Sequence, residues 1–367
     1  MAMKKILALA TAALFYGAAV AQTTSSTGVP MYSSGYMTLP YGNSPGLSDG
    51  VSVLGMGVNY SVFSVFNAQE GEGMLSLSSM PQLGGSNGPE SFVTRLDGLY
   101  ALNENTAIVG GLTYFQSGNV ELRDAEGNEL GMFTPSETLL QAGVVQRFSE
   151  QFKGGVKLGY GSTNLGASSQ NTNITERALT VGFSLDYSAE VADGELVSYW
   201  ALNHIGKKNN FSESNLNYLP TQMQIGVNWL KELSDNIAIA PGLNIQKYLV
   251  PTSPFLNPDG TIQSGKPQST SLFGAMFGSF NDAPGGTSEE VQEWRMLLSM
   301  ETLLNDKFFI GVSASLENTD KGNRQFINFG VGLKTEKVQL GIGYYIPLSQ
   351  QGAYYSGSTG IGLSVNL

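Results

Sequence analysis

The chain has 367 residues, enough for two soluble domains or one large barrel, with 46 glycines and only 13% charged residues. Its 30 acids against 19 bases give a net charge of −11, which argues against nucleic acid as a partner. The complete lack of cysteine excludes disulfide stapling and anchoring through a lipidated cysteine.

Lys4 and Lys5 precede an uncharged apolar run over residues 6–20, and Ala19, Val20 and Ala21 form a small-x-small cleavage site before Gln22. Residues 1–21 read as a secretory signal peptide, so export is expected. Removing it leaves 17 bases against the same 30 acids. No later apolar run reaches the roughly 18 residues that a membrane-spanning helix needs. A membrane location therefore requires strands.

Residues 22–72 form a separate segment. Its first part, to residue 50, is rich in Ser, Thr, Gly, Pro and Tyr, whereas residues 51–66 are apolar enough to plug a lumen or to add one strand. An extra strand makes the count odd, which favours the plug. From residue 73 to 367 the pattern changes to alternation of apolar and polar residues, the period of a strand with lipid on one face and a lumen on the other. Residues 179–187 read Leu, Val, Phe, Leu, Tyr against Thr, Gly, Ser, Asp, and residues 338–344 read Val, Leu, Ile, Tyr against Gln, Gly, Gly. Fourteen strands are predicted, at 73–80, 91–102, 106–123, 134–148, 152–163, 176–189, 195–205, 219–232, 236–249, 289–303, 307–317, 323–334, 337–347 and 358–367.

Short connections alternate with long ones rich in Gly, Asn and Ser, as expected of periplasmic turns and extracellular loops in an outer-membrane barrel. A secreted β-sandwich is the alternative, but it predicts connections of unsorted length and a more charged surface. Tyr100, Tyr114, Tyr160, Tyr187, Trp229 and Tyr344 lie near strand ends, where interfacial aromatic girdles or ordinary packing accounts for them. Arg95, Arg147, Lys157 and Arg295 fall within predicted strands near Asp97, Glu293 and Glu301, as an ion network in a wet lumen or charges snorkelling at its rim.

The longest predicted connection, 250–288, carries Leu272, Phe273, Met276, Phe277 and Phe280 just ahead of the hinge Pro284-Gly285-Gly286. Asp282, Glu289 and Glu290 flank that hinge, and Thr287 with Glu290 matches a capping box, so a short helix there competes with an immediate strand. Five large apolar side chains are too many for a freely solvated loop. Composition leaves a partner-contact surface and a self-plugging loop equally open.

Signatures of catalysis are sparse. His204 is the sole histidine, and the chain lacks HExxH and GxSxG motifs. No enzymatic activity, metal or cofactor is expected, although a lipase-type barrel using His204 remains formally conceivable.

The segments "SFNDAPGGTSEE" (279–290) and "KGNRQFINFGVG" (321–332) resemble the signature of the PorV family, also called LptO, of the Bacteroidota type IX secretion system. "GNELGMFTPSE" (127–137), "LPTQMQIGVNW" (219–229) and "YLVPTSP" (248–254) stand in the expected order, and the resemblance covers residues 73–367. Three positions depart from the family pattern: a faint Gly/Ala-rich hatch at 48–62, Thr287 where Phe is frequent, and Leu367 where an aromatic is common. The resemblance implies a 14-stranded barrel similar to the FadL fatty-acid transporters. It also implies a shuttle that accepts cargo by a C-terminal β-sandwich signal domain at a giant outer-membrane translocon barrel. Delivery would be to a surface attachment complex with a sortase-like protein. Carried onto this chain, it nominates Asp282, Pro284, Gly285, Gly286, Glu289 and Glu290, with Lys321, Gly322, Asn323 and Arg324 on the next external hairpin, for partner binding or loop ordering. Phe273, Met276, Phe277 and Phe280 are the nominated apolar contacts. An internal clasp between the acidic and basic loop tips is the competing expectation, and a FadL-like channel for hydrophobic small molecules is the alternative function. A purely structural barrel of an envelope complex is a third.

Overall fold

The computed structural model describes residues 71–82, 91–116, 119–123, 127, 129–167, 173–209, 219, 221–268, 271–321, 323, 325–348 and 359–367. The expected leader and the 22–70 part of the expected plug lie outside the described residues. So do Gly322 and Arg324.

Fourteen antiparallel strands close into one barrel. In chain order they are β1 (Gly73–Gln82), β2 (Ser91–Asn103), β3 (Thr106–Gln116), β6 (Ser136–Arg147), β7 (Phe152–Ala167), β8 (Asn173–Val191) and β9 (Gly194–Asn209). They continue as β10 (Gln222–Ser234), β11 (Ile237–Tyr248), β14 (Arg295–Leu304), β15 (Phe308–Leu316), β16 (Phe326–Lys334), β17 (Val338–Pro347) and β18 (Thr359–Asn366). Two small ribbons stand apart from the wall, β4 (Val120–Arg123) with β5 (Glu129–Phe133), and β12 (Phe255–Leu256) with β13 (Ile262–Ser264). Each barrel strand pairs with its sequence neighbours, and β1 meets β18 through Met74↔Asn366 to Ser79↔Ile361 to close the ring. Closure leaves no sheet edge in the hydrocarbon, the condition under which strands cross a membrane. Among the described residues no helix is long and apolar enough to do so.

The alternation read in the sequence is the in-out alternation of the wall. Along β17, Val338, Leu340, Ile342, Tyr344 and Ile346 are exposed on the outside, while Gln339, Gly341, Gly343 and Tyr345 are buried on the lumen face. The same division places Leu158 (62% exposed) and Leu179 (64%) outside, where lipid rather than water is the solvent that accepts them. Inside lie Ser76, Ser78, Asp97, Thr180, Ser184, Asp186, Asn228, Asn244, Glu301, Ser313, Asn328 and Ser364, all buried. This wall is polar, and some of its side chains pack closely across neighbouring strands. Tyr199 hydrogen-bonds Asn244 and occupies the space over Gly226, where a Cβ would come within 2.2 Å of its ring. Phe309 lies over Gly332 in the same way, at 2.1 Å. A large lumen residue thus fills the volume that a glycine on the adjacent strand leaves vacant.

Two expected boundaries are corrected. The predicted strand 106–123 ends at Gln116, and residues beyond it return as the separate β4–β5 ribbon. The predicted strand 289–303 begins only at Arg295, because Thr287–Gln292 is a helix, α2. Helix α1 spans Leu272–Gly278. Both helices lie in the 249–294 connection, which is the longest connection of the described chain.

Candidate functional site

The connection from β11 to β14 leaves the barrel at Leu249, whose N–H donates to the Thr221 carbonyl at 2.8 Å. It then builds a platform. Ser271 caps α1 by accepting from the Gly274 N–H at 3.0 Å, and a serine followed by an apolar turn is the sequence reason for the helix starting there. On this short helix Ala275 and Met276 are buried, whereas Phe273 and Phe277, one turn apart, are 63% and 71% exposed. Phe280 follows at 39% and stacks obliquely on Trp294 at 6.5 Å. Of the four nominated apolar contacts, Phe273, Phe277 and Phe280 face outward and Met276 is part of the platform's own core.

The hinge then turns the chain into α2. Gly286 stands at φ +68°, a conformation that disfavours any residue with a Cβ, and it serves as the helix N-cap. The expected capping box is not formed: Thr287 lies inside the helix, no side chain caps the end, and Glu290 turns back to accept from the Ala283 N–H at 2.9 Å. Tertiary pairing redirects the Glu290 carboxylate, and the chain folds as the short helix rather than as an immediate strand.

The carboxylates of α2 meet two lysines from different parts of the rim. Lys247, at the end of β11 and fully buried, binds Glu290 at 3.1 Å and also Glu293. Lys321, on the turn Thr319–Lys321 between β15 and β16, binds Glu289 and reaches Glu293 at 3.2 Å. Glu293 thus bridges both lysines, and its Oε1 also accepts from the Thr252 hydroxyl at 2.8 Å. Beside this cluster Arg295 binds Glu317 at 2.9 Å, tying the first residue of β14 to the end of β15. The acidic and basic loop tips form the internal clasp that the sequence left open. Lys247 and Thr252 belong to it as well, with the Arg295–Glu317 pair alongside. Sequence reasoning missed their part because they are spread over some 70 residues and share no motif.

Asp282 sits behind the clasp, 5% exposed, accepting from the Thr252 N–H at 3.2 Å. Burial raises its carboxyl to about 6, and Glu290 and Glu293 push in the same direction against the Thr252 N–H and Lys247. Glu289 behaves in the opposite way: burial works against its charge, but the Lys321 ammonium and the Gly285 N–H, 2.5 Å away, hold it below the ordinary glutamate range. Burial likewise opposes the charge on Lys321, and its two carboxylates outweigh that to hold it above the ordinary lysine value. Pro284, Gly285 and Gly286 shape the turn and carry no charge. Asn323 adopts φ +51° and donates its N–H to the Asn318 carbonyl at 3.0 Å, so it orders the Lys321 turn.

Two sequence-nominated features have no place in this cluster. Arg95 pairs with Asp97 in β2 at 2.6 Å, a lumen pair distant in sequence from the platform. His204 is buried in β9 at φ +60°, its carbonyl accepting from the Thr221 hydroxyl at 3.1 Å, where the β8–β9 register shifts between Val181 and Phe183. It marks a bulge in the wall.

A closed, meandering wall with an apolar outside and a polar inside defines an outer-membrane β-barrel with a braced platform at its rim. The chain matches the family model described as Type IX secretion system protein PorV over residues 59–255, more than half its length, and belongs to that family. It is accordingly a component of type IX secretion. No curated protein matches the chain. Among solved structures it is similar to the Pseudomonas putida toluene transporter TodX, with 12% identity over 88% of this chain and 98% of that one and a TM-score of 0.46. It is also similar to the Ralstonia pickettii toluene transporter TbuX, with 10% identity over 83% and 90% and a TM-score of 0.44. CdiB from Acinetobacter baumannii gives 10% identity and a TM-score of 0.43, over 82% of this chain but only 60% of that longer one.

Proposed function

We propose that the barrel is a cargo shuttle: it takes secreted proteins by their C-terminal signal domain at the translocon barrel and hands them to the surface attachment complex. The observation that carries this reading is the platform, a braced loop structure that holds Phe273 and Phe277 out into solvent. Large aromatic side chains exposed in pairs on a rigid support are what a protein partner buries at the centre of an interface. The ion-paired clasp supplies rigidity, so little ordering remains to be done when cargo binds. Export through the leader ending near Ala21, with the long connections on the outer surface, belongs to the same reading. A lumen wall of Ser, Asn, Gln and charged side chains supports cargo handling over passage of an apolar solute through the bore.

The test is recovery of the tagged protein from its own host in gentle detergent, followed by mass spectrometry of proteins and lipids. Co-recovery of a very large outer-membrane barrel with diverse proteins sharing one C-terminal domain is expected. The double variant F273S/F277S should keep the barrel folded and lose the cargo. Recovery of the barrel alone with a stoichiometric apolar ligand would sink the proposal in favour of a hydrophobic-solute channel.

A further inference from the structure

The two halves of the clasp differ in how water reaches them. Lys247 is 0% exposed at its side chain and its partners Glu290 and Glu293 are 9% and 8% exposed, so separating them strands buried charge. Lys321 and Glu289 are 11% and 21% exposed, and water can replace their pairing at smaller cost. The supports differ as well: Lys247 is carried by a barrel strand, Lys321 by a single turn of a loop. The segment they hold is bounded by a fixed point and a flexible one. Ser279 is 0% exposed and its hydroxyl donates to the Met276 carbonyl at 2.7 Å, anchoring the end of α1. Gly285 and Gly286 follow as a joint, with Gly286 at φ +68°.

We propose that residues 280–293 are a strap in which the pairs of Glu289 and Glu293 with Lys321 form a releasable latch, while the pairs of Glu290 and Glu293 with Lys247 remain closed as its pivot. Opening swings the hinge away from the β15–β16 connection. It frees the Lys321 ammonium and the Glu289 carboxylate for a partner's opposite charges and moves only the turn at Pro284, Gly285 and Gly286, because Ala283 stays bonded to Glu290 and Asp282 to Thr252. Glu293 couples the two states because it touches both lysines: Oε2 stays on Lys247 when Oε1 leaves Lys321. A charged latch suits this use better than an apolar one, since each released group is stabilised by water. The latch rests on the geometry alone; its use in cargo handling rests on the function proposed above.

Amide hydrogen exchange on the full chain in detergent or vesicles tests the hierarchy. Lys321→Gln should speed exchange over residues 285–292 at least tenfold and leave residues 244–249 and 272–279 unchanged, and Lys321→Arg should restore the slow exchange. Uniform loosening of all three regions, or no loosening, overturns the latch. The absence of native cysteine allows a second test, Glu289→Cys with Lys321→Cys joined by a short bismaleimide, which spans the distance that two long side chains cover. Cargo capture that proceeds normally before joining and stalls after it supports release as a working step, and capture that continues after joining refutes it. If the uncrosslinked barrel captures no cargo at all, the shuttle reading fails, and the exchange result still decides the latch.

Discussion

At the residue scale, the lumen is specified by size exchange between neighbouring strands. Tyr199 over Gly226 and Phe309 over Gly332 leave no room for a methyl group, since the built Cβ falls at 2.2 and 2.1 Å from ring carbons. Gly226→Ala and Gly332→Ala should therefore each destabilise the barrel by about 1–3 kcal/mol, the usual cost of overpacking, read as a lower temperature for loss of the compact form on electrophoresis. Paired charges set a second residue-scale expectation. Lys247→Met leaves Glu290 and Glu293 facing each other without their buried counter-ion, a loss of about 3–5 kcal/mol. Because the loss is confined to the connection between β11 and β14, it should appear as protease cleavage within 255–293 while the barrel stays intact. Lys247 gave no such signal in the sequence, where it is one cation at a strand end; only the return of the chain 40-odd residues later brings the carboxylates to it.

At the scale of elements, the platform should respond to pH with a maximum. The Asp282 carboxyl lies above its ordinary value of 3.8, so the folded platform binds that proton more tightly than an opened one does. Its contribution is complete below the ordinary aspartate range and is lost as pH rises through about 6. Glu289 lies below the ordinary glutamate value of 4.5, so its contribution is present above that value and is lost as pH falls through its lowered one. Exchange protection over residues 280–292 should thus peak near the ordinary glutamate value of 4.5, falling below it with Glu289 and above it, until about pH 6, with Asp282. Asp282→Asn should abolish the decline on the alkaline side and leave the acidic side as it was. Of the two helices only that at Thr287–Gln292 was anticipated, as a competitor to an immediate strand; that at Leu272–Gly278 was not. Ser271 ahead of an apolar turn and the Pro-Gly-Gly reversal are local signals, and they acted locally. The extension of a predicted strand back to residue 289 was wrong because Glu289 and Glu290 answer to lysines elsewhere, and strand periodicity holds no information about that.

At the scale of the whole molecule, the wall is uneven: β8 has 19 residues and β18 has 8. At 16, 19 and 16 residues, β7, β8 and β9 exceed the roughly 9–11 tilted residues a bilayer needs, whereas the short strands β15 to β18 have little to spare. A charge on the outside of a short strand has no rim to reach. Ile342→Arg should cost about 2–4 kcal/mol in folding into vesicles, the midplane penalty for a lipid-facing arginine. Leu179→Arg on tall β8 should cost less if it lies nearer the interface, and equal costs would show that strand length does not displace the belt.

Strand number, in-out alternation and the sorting of short from long connections followed from the sequence alone. A membrane imposes a period of two on every crossing and excludes unpaired backbone, so the pattern is written locally in each segment. Of the six aromatics named as girdle candidates, Tyr160, Tyr187 and Tyr344 are exposed and Tyr100, Tyr114 and Trp229 are half-buried. The tertiary structure decided which large side chain faces which lumen glycine, and which lysines the carboxylates of the acidic hinge pair with. Glu289 and Lys321 are paired across 32 residues and Lys247 and Glu293 across 46, and those distances close only when the barrel does. Coulomb pairing between loops depends on where the strands deliver their ends, and no local run of residues encodes that position.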